Sequence, residues 1–168
     1  MSILSPVFAL AAWTMCVLLL IPVARFRAGR RRQIRLDDFK YGESTAVPPE
    51  VSIPNRNFMN LLELPVLFYV VCLIILVTGG ASPAMLNTAW AFVALRVVHS
   101  LIHLSYNRVM HRFAAFLASN TALLLLWVLA GTLEDAATFT KIVAGAESNV
   151  GVGLARLGLK VAWVSRLG

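Results

Sequence analysis

Apolar residues gather in four long runs, at about residues 3–23, 58–77, 83–106 and 113–133, rather than in alternating or 3.6-residue stripes. Each run approaches the ~20 residues that cross a bilayer core as a helix. Hydrocarbon offers no partner to a free N–H or C=O, so a spanning segment is helical by default. The pattern predicts an all-α membrane protein, a bundle of four transmembrane helices. The first run holds Trp13 and is expected to end at a Pro22-Val23-Ala24 hinge. Between the second and third runs, Thr78-Gly-Gly-Ala-Ser-Pro83 is short and uncharged. Its glycines suit the end of one helix and its proline the start of the next, so a helical hairpin is expected.

Composition agrees with the runs. The chain has 168 residues, of which 59% are hydrophobic and 14% charged, and its mean hydropathy is +0.77. A soluble domain would carry more charge. A net charge of +7 is also found in nucleic-acid-binding proteins, but no recognition motif accompanies it, and no nucleic-acid partner is expected. The positive charge lies beside an apolar run, where it sets topology. Eight basic residues fall in the 24–57 loop: Arg25, Arg27, Arg30, Arg31, Arg32, Arg35, Lys40 and Arg56. The link at 107–112 carries Arg108 and Arg112, while the opposite link carries no charge. Positive-inside bias therefore places 24–57 and 107–112 in the cytoplasm and both termini outside, and a bacterial inner membrane is the expected location. Cys16 and Cys72 lie within apolar runs and read as buried small hydrophobes, with no metal spacing nearby. The first run lacks a basic segment before it and does not read as a signal peptide.

Ionisable groups inside a span are costly in lipid, and this chain has a set of them. Arg56, Asn60 and Glu63 are spaced by four and three, on one face of one helix. Arg96, His99, His103 and Tyr106 are spaced by three, four and three, again one face. Arg96 is the deepest, about 15 Å from Tyr106 along a helix. Span two begins, span three ends and span four begins on the same side, so these residues should crowd one half of the bundle and frame a polar pocket. Taken singly, each has a plainer role. Arg56, Arg108 and Arg112 suit contacts with anionic lipid. Glu63 and Arg96 could neutralise each other, Asn60 and Asn120 could join helices, and His99 could simply be packed. Together they suit a small ligand with several carboxylates and an ionisable thiol or hydroxyl. Arginine forks hold carboxylates, and an adjacent cation favours a thiolate over a thiol.

Two segments carry a resemblance: Arg56-Asn-Phe-Met-Asn60-Leu-Leu-Glu63-Leu-Pro65, and Arg96-Val-Val-His99-Ser-Leu-Ile-His103 on through Arg108 to Arg112. Over about residues 3–132 the chain resembles the MAPEG family, the membrane-associated proteins of eicosanoid and glutathione metabolism. The resemblance implies a homotrimer that binds glutathione as co-substrate between subunits. It implies glutathione contacts from Arg56, Asn60, Glu63, Arg96, His99 and Arg108. It casts Arg112 as the catalytic arginine that stabilises the thiolate. His103 stands where the prostaglandin synthase pattern has a tyrosine that touches glutathione, and Pro65 lies closer to Glu63 than in the eicosanoid synthases. The function implied is conjugation or reduction of lipophilic electrophiles. The alternative from a different class is a non-catalytic membrane protein with a structural or lipid-binding polar pocket. No metal is expected.

Composition changes after Leu133. Residues 133–168 become Gly-rich, with a short helical pattern and then Leu159–Ser165, which reads as a strand. This tail resembles part of the N-terminal region of ribokinase-like (PfkB) sugar kinases, with Gly145, Glu147 and Asn149 near the implied sugar site. One helix and one strand cannot build a core, so the tail is expected to be neither an independent domain nor a working kinase. A fusion, frameshift or chimera would account for the junction; the plainer alternative is an ordinary C-terminal extension.

Overall fold

The computed structural model describes residues 2–136, so the expected tail strand and the short helical pattern before it lie outside the described residues. Five α-helices follow one another: α1 Leu4–Arg30, α2 Pro49–Leu62, α3 Pro65–Thr78, α4 Pro83–Leu104 and α5 Val109–Ala136. A single 3-10 turn, Leu36–Phe39, lies between α1 and α2. Taken with α2, α3 completes one apolar stretch, Pro49–Thr78, and this gives four stretches long and apolar enough to cross a membrane. Among the described residues there is no β-strand. The four-helix membrane architecture is as the sequence pattern predicts.

Local chemistry fixes the helix starts. Pro49, Pro65 and Pro83 open α2, α3 and α4, where a missing N–H costs nothing and φ is already helical. The Ser82 hydroxyl also accepts from the Met85 N–H at 3.2 Å, capping α4. Gly79 closes α3 in the left-handed region at φ 68°. Asn107 turns the chain between α4 and α5 at φ 47°, a conformation asparagine tolerates better than most residues. Hydroxyls along the spans bond back to their own helices: Thr14 to Leu10, Thr88 to Ala84 and Thr121 to Leu117. Each satisfies its donor without water.

Three boundaries differ from expectation. α1 does not stop at Pro22 but runs through it to Arg30. An interior proline removes one backbone bond and crowds one carbonyl, which kinks a helix more readily than it ends one. The long loop is therefore residues 31–48, not 24–57. The second span is not one helix from Phe58: it starts at Pro49 and is broken at Glu63-Leu64, where α2 hands over to α3. Pro65 has no N–H to offer the Leu61 carbonyl, so the ladder fails there.

The apolar core lies toward the α3–α4 turn. Phe68, Val71, Cys72 and Ile75 of α3 meet Met85, Ala89, Phe92 and Val93 of α4, with Leu123, Leu126 and Ala130 of α5. Phe68 and Phe92 stack at 4.7 Å between ring centroids. Outward-facing positions are as apolar as the core: Phe8 is 68% exposed and Leu124 65%. Such a surface suits hydrocarbon, not water. Cys72 is buried as expected, but Cys16 is exposed on that outer surface. Sequence pattern alone treats both cysteines alike because α1 is apolar on every side.

Candidate functional site

The half of the bundle near the α4–α5 link is built differently. α4 turns Arg96, His99 and His103 inward, and all three are buried. Their spacing of three and four stacks them on one face, as the sequence predicts. α2 contributes Arg56 and Asn60 from its last turns, and Glu63 follows at its end. α5 contributes Arg112 from its first. A cavity of about 520 Å³ opens among these elements. Its polar lining includes Arg56, Asn60, Glu63, His99, His103 and Arg112. Six of the eight residues singled out in the sequence thus share one cavity.

Arg96 and Arg108 do not line it. Arg108 is exposed on the link. Tyr106 is exposed too, with its hydroxyl 3.1 Å from His111 Nδ1. Arg96 is fully buried and serves the backbone: its Nη2 donates to the Asn60 carbonyl. That carbonyl belongs to the last turn of α2, where the break leaves acceptors without the N–H groups of a next turn. In hydrocarbon such an acceptor must find a protein donor, and Arg96 supplies one from the neighbouring helix. Glu63 and Arg96, which could neutralise each other, are not joined by a hydrogen bond: Arg96 Nε and Nη1 have no hydrogen-bond partner. Nor does the Asn60 side chain join helices, since its amide donates to the Arg56 carbonyl of its own helix at 2.9 Å.

Arg112 is held in place. Its Nη1 donates to Asn107 Oδ1 at 2.8 Å, so the left-handed residue of the link also orients the guanidinium. His99 and His103 stand edge-on at 6.0 Å, and the Nδ1 of each is buried without a partner. Unmet buried polar atoms beside a cavity carry a desolvation cost that a polar ligand or bound water would relieve. Among the described residues, no cluster of His, Cys, Asp or Glu could hold a metal ion.

Other residues carried a weaker signal in the sequence. Asn57 is fully buried and donates to Ser100 Oγ at 2.5 Å, tying α2 to α4. An Asn and a Ser beside the two motifs were the available clue. Met59, Val109, Phe113 and Phe116 are the apolar residues of the cavity lining. Nothing marks them in the sequence, since any apolar residue of a span reads equally as packing or lipid contact.

A 2-dehydro-3-deoxygluconokinase of Bacillus subtilis (strain 168) is 55% identical to this chain over 38 residues, 23% of this chain and 12% of the kinase. The chain therefore spans only a small part of that enzyme, in keeping with the resemblance seen for residues 133–168. A family model described as the MAPEG family matches residues 3–132, which take in all four spans and every residue of the cavity. A match of that extent on a bundle of this kind makes the chain a member of the MAPEG family of multi-pass membrane proteins.

Proposed function

We propose that the cavity binds glutathione and that the protein joins its sulfur to a lipophilic electrophile, or uses it to reduce one. The observation that carries this reading is the mixed lining: guanidinium, imidazole and carboxylate groups together with Met59, Val109, Phe113 and Phe116. Glutathione is an anionic tripeptide with two carboxylates, one ammonium and a thiol. Arg56 and the histidines suit its carboxylates, Glu63 its ammonium, and Asn60 its amides. Arg112, steadied by Asn107, would favour the thiolate and lower the barrier to attack. In conjugation an S–C bond forms at the electrophilic carbon, the thiol proton passes to solvent, and any leaving group departs with its electron pair. The apolar lining would hold the electrophile against the sulfur, having admitted it from the bilayer.

The reading also includes a homotrimer, with Arg56 and Glu63, both exposed in the single chain, completed by a neighbouring subunit. Basic residues on the 31–48 loop and at 108 and 112 support placing this mouth in the cytoplasm. Family membership supports the choice of thiol. The Arg96–Asn60 bond favours a narrower version of the structural alternative, in which the deepest arginine serves the fold and the shallower groups serve the ligand.

Isothermal titration of the full chain in neutral detergent with glutathione tests the proposal. Arg112→Ala and Glu63→Gln should each weaken binding by about tenfold or more, the effect of losing a hydrogen bond to a charged group. Absence of binding to wild type that retains its native assembly overturns it.

A further inference from the structure

A second cavity, of about 680 Å³, lies at the end of α1, against the segment that leads into the 3-10 turn. That volume is within the range of about 300–1,000 Å³ typical of ligand sites. It shares no lining residue with the first cavity. Arg25, Arg30 and Arg35 supply its charge, while Ile21, Phe26 and Phe39 are among its apolar lining. No carboxylate lines it. The Arg25 guanidinium sits over the Phe39 ring, 4.3 Å from the centroid, and its Nε is buried without a hydrogen-bond partner. Asp38, the nearby acid, already accepts from the Arg35 backbone N–H at 2.7 Å and caps the 3-10 turn.

Location narrows the occupant. Residues 3–23 are apolar and residues 25–35 carry six arginines, so the cavity straddles the level where acyl chains give way to headgroups. Phe26 is 76% exposed at its rim, continuous with the lipid-facing side of α1. An arginine stacked on an aromatic ring, with an unmet donor and its nearby acid already engaged, suits a phosphate diester. The apolar half suits the first carbons of acyl chains and has no use for a free phosphate ion.

We infer that this cavity binds one anionic phospholipid, its phosphate on Arg25, Arg30 and Arg35 and its proximal acyl carbons against Ile21, Phe26 and Phe39. Bound there, the lipid bridges the end of α1 and the 3-10 turn, and so steadies the loop leading to α2.

The test uses the full chain in nanodiscs of phosphatidylcholine with a minor fraction of phosphatidylglycerol. After extraction into neutral detergent, native mass spectrometry reads the lipid retained. Wild type should retain phosphatidylglycerol in preference to phosphatidylcholine. Arg25→Gln and Arg35→Gln should each weaken that retention about fivefold. Phe39→Ala, which keeps every charge, should weaken it too. Arg31→Gln, an exposed charge outside the lining, should not. Four outcomes overturn the inference: equal retention of the two lipids by wild type; an effect of Arg31→Gln equal to that of Arg25→Gln; displacement of the lipid by equimolar glycerol 3-phosphate; and cross-linking of Phe26→Cys between copies, which would make a second subunit the occupant. Arg35 is exposed, so its variant tests the site even where Arg25→Gln fails to fold.

Discussion

The two halves of the bundle use the same helices in opposite ways. Toward the α3–α4 turn, α4 presents Met85, Ala89, Phe92 and Val93 to an apolar core. Within the next turn, the same face begins to present Arg96, His99, Ser100 and His103. One half is held by close packing. The other is held by a few directed bonds, Arg96 to the Asn60 carbonyl and Asn57 to Ser100, and leaves room for a cavity. Within a membrane, apolar packing gives cohesion but offers nothing to grip a charged molecule. A polar layer supplies that grip, and needs internal bonds to remain tolerable in lipid.

The largest effect should come from the packed half. Phe92→Ala removes a fully buried ring from the Phe68 stack and should lower unfolding stability by about 3 kcal/mol, measured by steric trapping or denaturant titration. Glutathione affinity of the protein that remains folded should change little. A comparable loss of affinity would mean that the two halves are not separable.

Arg96→Met should cost about 2 kcal/mol, because it strips the Asn60 carbonyl of its charged donor. Burial of an arginine with two unmet donors pulls the other way, and replacing a buried charge by a fitting apolar chain can be neutral or stabilising. A variant as stable as wild type that has lost glutathione binding would return Arg96 from the backbone to the ligand.

The smallest change is expected for Asn57→Ala. It deletes the bond to Ser100 but also the unpartnered Asn57 Oδ1, so a loss of about 1 kcal/mol is expected. A double-mutant cycle with Ser100→Ala isolates the pair. A coupling near zero would show that the polar half is held by Arg96 alone.

How much of this was legible in the sequence follows from what pattern reports. Four spans were plain because twenty apolar residues in a row admit few other readings. The inward face of α4 was plain because Arg96, His99 and His103 fall at helical spacing in a run where any charge is conspicuous. The break at Glu63-Leu64 was not. A proline inside a continuing helix and a proline opening a new one look alike in an apolar run, and Pro22 and Pro65 resolve oppositely. Arg96's partner was hidden for a related reason. It is a main-chain oxygen, freed by that break, and no side-chain motif announces it. Phe113 and Phe116 were invisible as cavity walls because their chemistry matches that of every lipid-facing neighbour.

The break in the second span also sets a depth. α3 has 14 residues, so it is about 21 Å long, against about 30 Å of hydrocarbon. The shortfall has to be made up by the last turns of α2, which carry Asn60 on the cavity wall. Unless the bilayer thins around the protein, the cavity floor lies below the headgroups, level with the upper acyl chains. A greasy molecule dissolved in the membrane would then meet the polar groups sideways, without first crossing into water. Changing the membrane's thickness would change how far below the surface that meeting takes place.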